Sequence, residues 1–172
     1  MTETKRITRM GMLTALSLLL SYVETLLPSF FTVPGIKLGL ANTAVVFALY
    51  TLSVRDAFFI SIMRVLISCV LFGNVLSLLY SFSGAAMSFI VMAVMKKLKL
   101  SVCAVSITGG IVHNCTQLLV AMLVIGSTAL GYYLPFLLVS GALTGFAIGE
   151  AASLVLTHLE GDSSLFSPSS SI

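Results

Sequence analysis

Long apolar runs, separated by only a few polar or helix-breaking residues, leave this chain few ways to fold. They cover roughly Met10–Leu27, Leu38–Val54, Ala57–Phe72, Val75–Met95, Leu100–Ile125 and Tyr132–Leu156. Each approaches or exceeds the ~17–25 residues a helix needs to cross about 30 Å of hydrocarbon. The breaks are Pro28 and Pro34-Gly35, then Arg55-Asp56, Gly73-Asn74, Lys96–Lys99 and Gly126–Gly131. No period-two alternation marks the runs as strands, and a backbone in lipid must satisfy its own hydrogen bonds. With 58% hydrophobic and 9% charged residues in 172, a water-soluble core could not hide the apolar surface. The expected fold is an all-α integral membrane protein, a bundle of six transmembrane helices.

Charge gives the orientation. Lys5, Arg6 and Arg9 precede the first run, Arg55 follows the second, and Lys96, Lys97 and Lys99 follow the fourth. Threading six spans puts all of these on one side, with Lys37 opposite and Arg64 within a span. The positive-inside tendency then predicts cytoplasmic N- and C-termini for a multi-pass protein of the cell membrane, most simply a bacterial cytoplasmic membrane. One transmembrane domain is expected over residues 1–160, followed by a polar, serine-rich and disordered tail over 161–172. The first run carries Glu24 and lacks a small-x-small site before Pro28, so it reads as a retained span rather than a cleaved signal. The net charge of +3 reflects orientation, and no basic stripe points to nucleic acid. Cys69, Cys103 and Cys115 stand apart within spans and form neither a disulfide framework nor a zinc spacing.

Polar residues inside the spans are the functional candidates, because each is unfavourable in hydrocarbon unless it has a partner or faces a cavity. At 1.5 Å per residue, Arg64 lies ~13 Å and His113 ~18 Å above the inner surface; Glu24, Asn42, Tyr80, Asn114 and Gln117 lie at roughly 20–24 Å. Such a layer suits a pocket open to the outside. His113 and Gln117 are four apart and share a helical face, with Asn114 close to it. The plainer alternative is helix-to-helix hydrogen bonding. Arg64 requires a carboxylate, a ligand anion or an interface, and Glu24 is its nearest carboxylate by depth. In Pro34-Gly35-Ile36-Lys37-Leu38-Gly39-Leu40-Ala41-Asn42, glycines permit a turn and a close approach, Lys37 can reach over the outer mouth, and Asn42 lies a turn inside. Small residues at packing distance (Gly11 with Ala15, Gly84 with Ser88, and Gly141, Gly145 and Gly149) suit close helix contacts, with Gly11 and Ala15 also suited to docking another membrane subunit.

The runs PGIKLGLAN, MRVLIS, SFSGAAMSFIVMAVMKKL, GGIVHNCTQLLVA and YYLPFLLVSGALTGFAIG resemble the family named heptaprenyl diphosphate synthase component I, also called the Gx transporter family. The resemblance spans about Pro34 to Gly149. The N-terminal TRMGMLTALSLLL is similar to the first helix of substrate-binding S components of energy-coupling factor (ECF) transporters, six-helix proteins with cytoplasmic termini. That likeness implies a membrane subunit that captures a small molecule for uptake and works with an ATP-driven coupling module. The chain carries no Walker motif, so ATP hydrolysis would belong to partners.

The residues do not suggest an enzyme. Prenyl diphosphate synthases hold magnesium with aspartate-rich clusters, whereas Asp56 and Asp162 are the only aspartates here and lie far apart. No cofactor or metal site is expected. The reading is therefore a substrate-binding subunit whose ligand contacts come from Lys37, Asn42, Arg64, His113, Asn114 and Gln117. Tyr80 and Tyr132 would pack against an apolar or ring-bearing part of the ligand. The cationic groups favour a small anionic or polar ligand, and the family name makes an isoprenoid- or quinone-related one conceivable. The rival expectation is a noncatalytic membrane subunit of a heptaprenyl diphosphate synthesis system. A stand-alone transporter lacks the support of an inverted repeat.

Overall fold

The computed structural model describes residues 3–26, 39–73 and 75–165. Among these the chain is helical, without strands. The elements are α1 (Glu3–Leu26), α2 (Asn42–Thr51), α3 (Val54–Phe72), α4 (Val75–Lys97) and α5 (Val102–Ile125). A 3-10 turn over Thr128–Tyr133 then leads into α6 (Leu134–Leu165). Lys37 and the Pro34-Gly35 turn lie outside the described residues. So does the end of the expected tail, whose first residues continue α6 as far as Leu165.

Helix boundaries follow local chemistry. Ser53 accepts a hydrogen bond from the Asp56 amide and starts α3, and Ser101 does the same for α5 through the Ala104 amide. Such caps satisfy amides that have no partner within the helix. Gly126 ends α5 with φ 68°, the left-handed conformation that a Cβ disfavours. Pro135 sits in the first turn of α6, where its missing N–H does no harm.

The helices run alternately up and down. Arg6 near the start of α1 bonds Asp56 near the start of α3, and Lys96 near the end of α4 bonds the Leu49 carbonyl near the end of α2. Gly149 of α6 lies against Cys103 at the start of α5. Arg6, Arg55, Lys96, Lys97 and Lys99 thus gather at one end of the bundle, called here the basic end. Contacts link α1 to α3, α3 to α4, α4 to α5 and α5 to α6, while α2 touches α1, α3, α5 and α6 from within that arc.

Surface and interior are inverted relative to a water-soluble protein. Large apolar side chains face outward all around, including Val70 at 84% and Leu123 at 81% exposure. Inside are Ser17, Ser21, Asn42, Ser61, Arg64, Ser68, His113, Asn114 and Gln117, all buried. Lipid accounts for both, since tails solvate the apolar exterior while polar groups find partners only within the protein. α4, α5 and the segment Thr128–His158 leading into α6 are each long and apolar enough to cross a membrane. This is an all-helical membrane protein.

One expected span differs. The run Leu38–Val54 yields only the ten-residue α2, about 15 Å long and half the hydrocarbon thickness. It starts after a turn at Gly39, whose φ is 89°, and stops just before Ser53 initiates α3. Hydropathy registers apolar residues but not the backbone turn that trims the helix. The five other runs correspond to helices. α3 carries Arg55, Asp56 and Arg64, three charges in 19 residues.

The interior divides along its length. Near the basic end, Val45, Leu49, Ile60, Phe89, Met92, Val105 and Ile148 form one apolar core around the C-terminal half of α2. Beyond the start of α2, the buried residues turn polar.

Candidate functional site

The polar region assembles around the first residues of α2. The Glu24 carboxylate of α1 accepts hydrogen bonds from the backbone amides of Gly39 and Leu40, the latter at 2.7 Å. Two turns below on α1, the Ser17 hydroxyl donates to the Ala41 carbonyl at 3.0 Å. Ser17, Ser21 and Glu24 recur at helical spacing, which aims one polar stripe of α1 at α2. A carboxylate at the N-terminal amides of a helix is stabilised by the partial positive charge there.

From α3, Arg64 Nη2 donates to Asn42 Oδ1 at 3.2 Å, and each residue is only 5% exposed. An amide facing a guanidinium must present its oxygen, which turns its NH2 group elsewhere. Arg64 Nε and Asn42 Nδ2 are both buried with no hydrogen-bond partner among the described residues. Glu24 lies close enough to Arg64 for their charges to attract. Isolated burial of an arginine at mid-helix carries an insertion penalty of about 3 kcal/mol on translocon scales.

From α5, the His113 imidazole fits between two glycines. Its Cδ2 lies 3.7 Å from where a Cβ on Gly39 would stand, and its Nδ1 and Cε1 lie 3.1 Å from that of Gly84 on α4. Gln117 is one turn along the same face, with Cγ only 2.9 Å from the Gly84 position. Gly84 therefore admits both side chains where any larger residue would push them aside. Ser81, one turn earlier on α4, is buried with its hydroxyl unpartnered among the described residues.

These groups occupy one level. Counting from the basic end, Asn42, Arg64, His113 and Gly84 lie nine to thirteen residues along their helices, or roughly 14–20 Å. Four helices thus meet at mid-height, with Asn42 from α2, Arg64 from α3, Gly84 from α4 and His113 from α5. Gln117, Ser81 and the partly buried Glu24 of α1 continue the polar layer away from the basic end. α2 opens into that layer with its N-terminus. The Gly39 and Leu40 amides in the turn just before α2, Arg64 and the Asn42 NH2 group all donate, an arrangement suited to ligand acceptor atoms.

The other expected contacts fall elsewhere. Asn114 donates to the Leu137 carbonyl of α6 at 3.1 Å and to Ser140 Oγ at 3.4 Å. One residue on a helix is a 100° rotation, and that carries Asn114 from the His113 face to the α5–α6 seam. Tyr80 is fully buried one turn before Gly84, against Ala121 and Leu130, and it walls the layer on the side away from the basic end. Tyr132 is 90% exposed, because the 3-10 turn points Leu130 and Tyr133 inward instead. It is not brought to the layer. Lys37 lies outside the described residues. Gly11 and Ala15 are exposed on α1, and nothing stands within 4 Å of a Cβ built on Gly11.

Sequence reasoning did not find Ser81 or the amide contacts of Glu24. The serine gave no motif. The amides became visible only once the Gly39 turn exposed them.

The α5–α6 seam supports the layer from behind. A Cβ on Gly110 would stand 2.5 Å from the Gly141 carbonyl oxygen, and one on Gly145 would stand 2.7 Å from Ile107 Cα. Backbones this close fix α5, and with it the direction in which His113 and Gln117 project. No group of three or more His, Cys, Asp and Glu residues suited to a metal ion occurs among the described residues.

A family model described as heptaprenyl diphosphate synthase component I matches residues 13–155. No curated protein and no solved structure matches the chain.

Proposed function

The chain belongs to the heptaprenyl diphosphate synthase component I family, and we propose that within it this protein is a membrane subunit that binds a small anionic or polar molecule for uptake. The observation that carries the reading is the meeting of Asn42, Arg64, His113 and Gln117 at the N-terminus of α2, with donor atoms of Asn42 and Arg64 unused among the described residues. Helix glue spends its donors between helices, as the Asn114 NH2 group does. An arginine and an amide with donors to spare suit a ligand better.

In the proposed topology the chain crosses the membrane six times with both termini in the cytoplasm. The gathering of Arg6, Arg55, Lys96, Lys97 and Lys99 at one end supports that orientation. The ligand enters from the opposite side, where Lys37 and Tyr132 stand in the sequence and can contribute to the mouth. In this reading Asn114 shapes the binding layer through α6. Exposed Gly11 and Ala15 allow close approach of a partner helix, and an ATP-driven coupling module is the proposed partner.

The family description favours a second reading. A "component I" implies another component, so the chain would be a noncatalytic membrane partner of a prenyl diphosphate synthase. Affinity purification of the tagged protein from its native membrane, followed by native mass spectrometry, separates the two. Co-purified ATPase and coupling subunits with a retained small molecule support uptake. A stoichiometric synthase carrying aspartate-rich motifs, with no small molecule retained, supports the second reading and overturns the first.

A further inference from the structure

The first amides of α2, those of Asn42 and Thr43, donate to the Gly39 and Leu40 carbonyls, and the amides of that preceding turn are already occupied by an anion from the protein itself. Glu24 reaches across from α1 to the Gly39 and Leu40 amides, and its charge also faces Arg64. Helix N-termini bind carboxylates and phosphates by this geometry, and half-helices ending at mid-membrane do so for transported anions. Beside the seat, Arg64 Nε and Asn42 Nδ2 point donors at no described partner, although both residues are about 95% buried. Both of these unpartnered atoms are donors, so the group that completes them supplies acceptors.

Resting on the binding reading above, we propose that Glu24 is an exchangeable internal counter-ion: the ligand's oxyanion, a carboxylate or a phosphate, takes its seat at the α2 N-terminus. Charge makes the exchange selective. If Glu24 leaves, Arg64 stays buried and only an incoming anion restores neutrality; a cation or a neutral molecule leaves the guanidinium uncompensated. Exchange also has a mechanical consequence. α1 is tied at the basic end by Arg6 and Asp56, and toward the other end by Ser17 and Glu24. Loss of the Glu24 tie leaves the far end of α1 held by the Ser17 bond and the Tyr22–Phe72 ring contact, a looser hold, while the basic end stays fixed. Ligand capture is thereby coupled to the position of the helix that bears Gly11 and Ala15.

The test uses the full chain in lipid nanodiscs, titrated calorimetrically with acetate, inorganic phosphate and pyrophosphate at constant ionic strength. The wild type is expected to bind one of these saturably, and the preferred anion distinguishes a carboxylate from a phosphate seat. Glu24→Gln removes a competitor of high local concentration and is expected to tighten that binding on the order of tenfold. Glu24→Asp, shorter but still charged, should tighten it less and serves if the glutamine variant fails to fold. Spin labels at Leu26 and Val70, with Cys69, Cys103 and Cys115 replaced by alanine, should report a longer α1–α3 distance when the anion is added. Binding that Arg64→Met abolishes but Glu24→Gln leaves unchanged or weaker overturns the exchange and leaves the binding reading standing. No saturable binding of any of these anions to wild type or Glu24→Gln overturns both.

Discussion

Arg64 of α3 donates to the side-chain oxygen of Asn42, the first residue of α2, rather than hydrogen-bonding to a carboxylate. The pair therefore fixes the start of a half-length helix against a full-length one, and it leaves a charged and a neutral donor side by side. Glu24 compensates the charge from α1 while its Oε1 accepts from two backbone amides. A buried cation with its counter-charge one step away is easier to reassign to a ligand than one locked in a bidentate pair.

Replacing Arg64 by methionine should separate binding from folding. Methionine fills similar volume without a charge, and the Glu24 carboxylate, which loses its counter-charge, keeps its bonds to the Gly39 and Leu40 amides. We expect a stability loss below the roughly 3–5 kcal/mol of breaking a fully buried ion pair, and a loss of ligand affinity of at least tenfold, since a hydrogen bond to a charged group contributes roughly 1.5–3 kcal/mol. Calorimetric titration beside thermal melts of both proteins reads the two effects. A large drop in melting temperature with unchanged affinity would assign Arg64 to the scaffold instead.

Two classes of glycine should respond differently to alanine. At Gly84 the new methyl meets only the side chains of Gln117 and His113, at 2.9 and 3.1 Å. These can shift by a few tenths of an ångström, so Gly84→Ala should fold near normally and bind several-fold more weakly. At Gly110 and Gly145 the methyl meets backbone at 2.5 and 2.7 Å, and helices α5 and α6 must separate. Overpacking of that kind costs roughly 2–3 kcal/mol, or about 5–10 °C in melting temperature for a chain of this size. Melting curves of the three variants, read beside their affinities, check the contrast.

Much of this arrangement was legible beforehand, for physical reasons that differ by residue. Hydropathy located five helices to within several residues at most ends, because lipid demands continuous apolar length. Depth counting put Arg64 and His113 near mid-height but set Asn42 above them, whereas the short α2 places it level with both; Gly39, Gly84 and the α6 glycines were marked for close approach. Depth alone could not give azimuth, so Asn114 was grouped with His113 although 100° of helix rotation sends it to α6. Nor could it show that a turn at Gly39 starts α2 at mid-height. That turn creates the amide seat, and it depends on backbone geometry that apolar counting does not register.

The tie between Arg6 and Asp56 should show a defined pH window. Hydrogen bonds from Arg6, at 2.5–3.1 Å, chiefly hold the Asp56 carboxyl below its ordinary range, aided by Ser53 and opposed by burial. Because the folded pKa is depressed, the stabilisation is fully present above the unfolded value of about 3.9 and is lost as pH falls through the folded one. Asp56→Asn should therefore melt below the wild type at pH 7 and equally so at pH 5. The gap should close only below about pH 4. A gap that closes between pH 7 and 5 would point to a different titrating group.

Lys96 anchors the other end of α2. Its ammonium donates to the Leu49 carbonyl and lies 5.2 Å from the centre of the Tyr50 ring. A cation at a helix C-terminus is stabilised by roughly 0.3–1 kcal/mol, and one over an aromatic face by about 0.5–1 kcal/mol. Lys96→Met keeps the alkyl stem and removes both effects, so α2 should lose about 1 kcal/mol of local stability while α5 and α6 keep theirs. Hydrogen exchange followed by mass spectrometry should then show several-fold faster exchange confined to Val46–Thr51. Because Asn42 and the Gly39 turn sit at the opposite end of the same short rod, loosening its base should also weaken ligand binding several-fold, with no contact between Lys96 and the ligand. Unchanged exchange in α2 would mean that the apolar core around Val45 and Leu49 holds the helix without this cap.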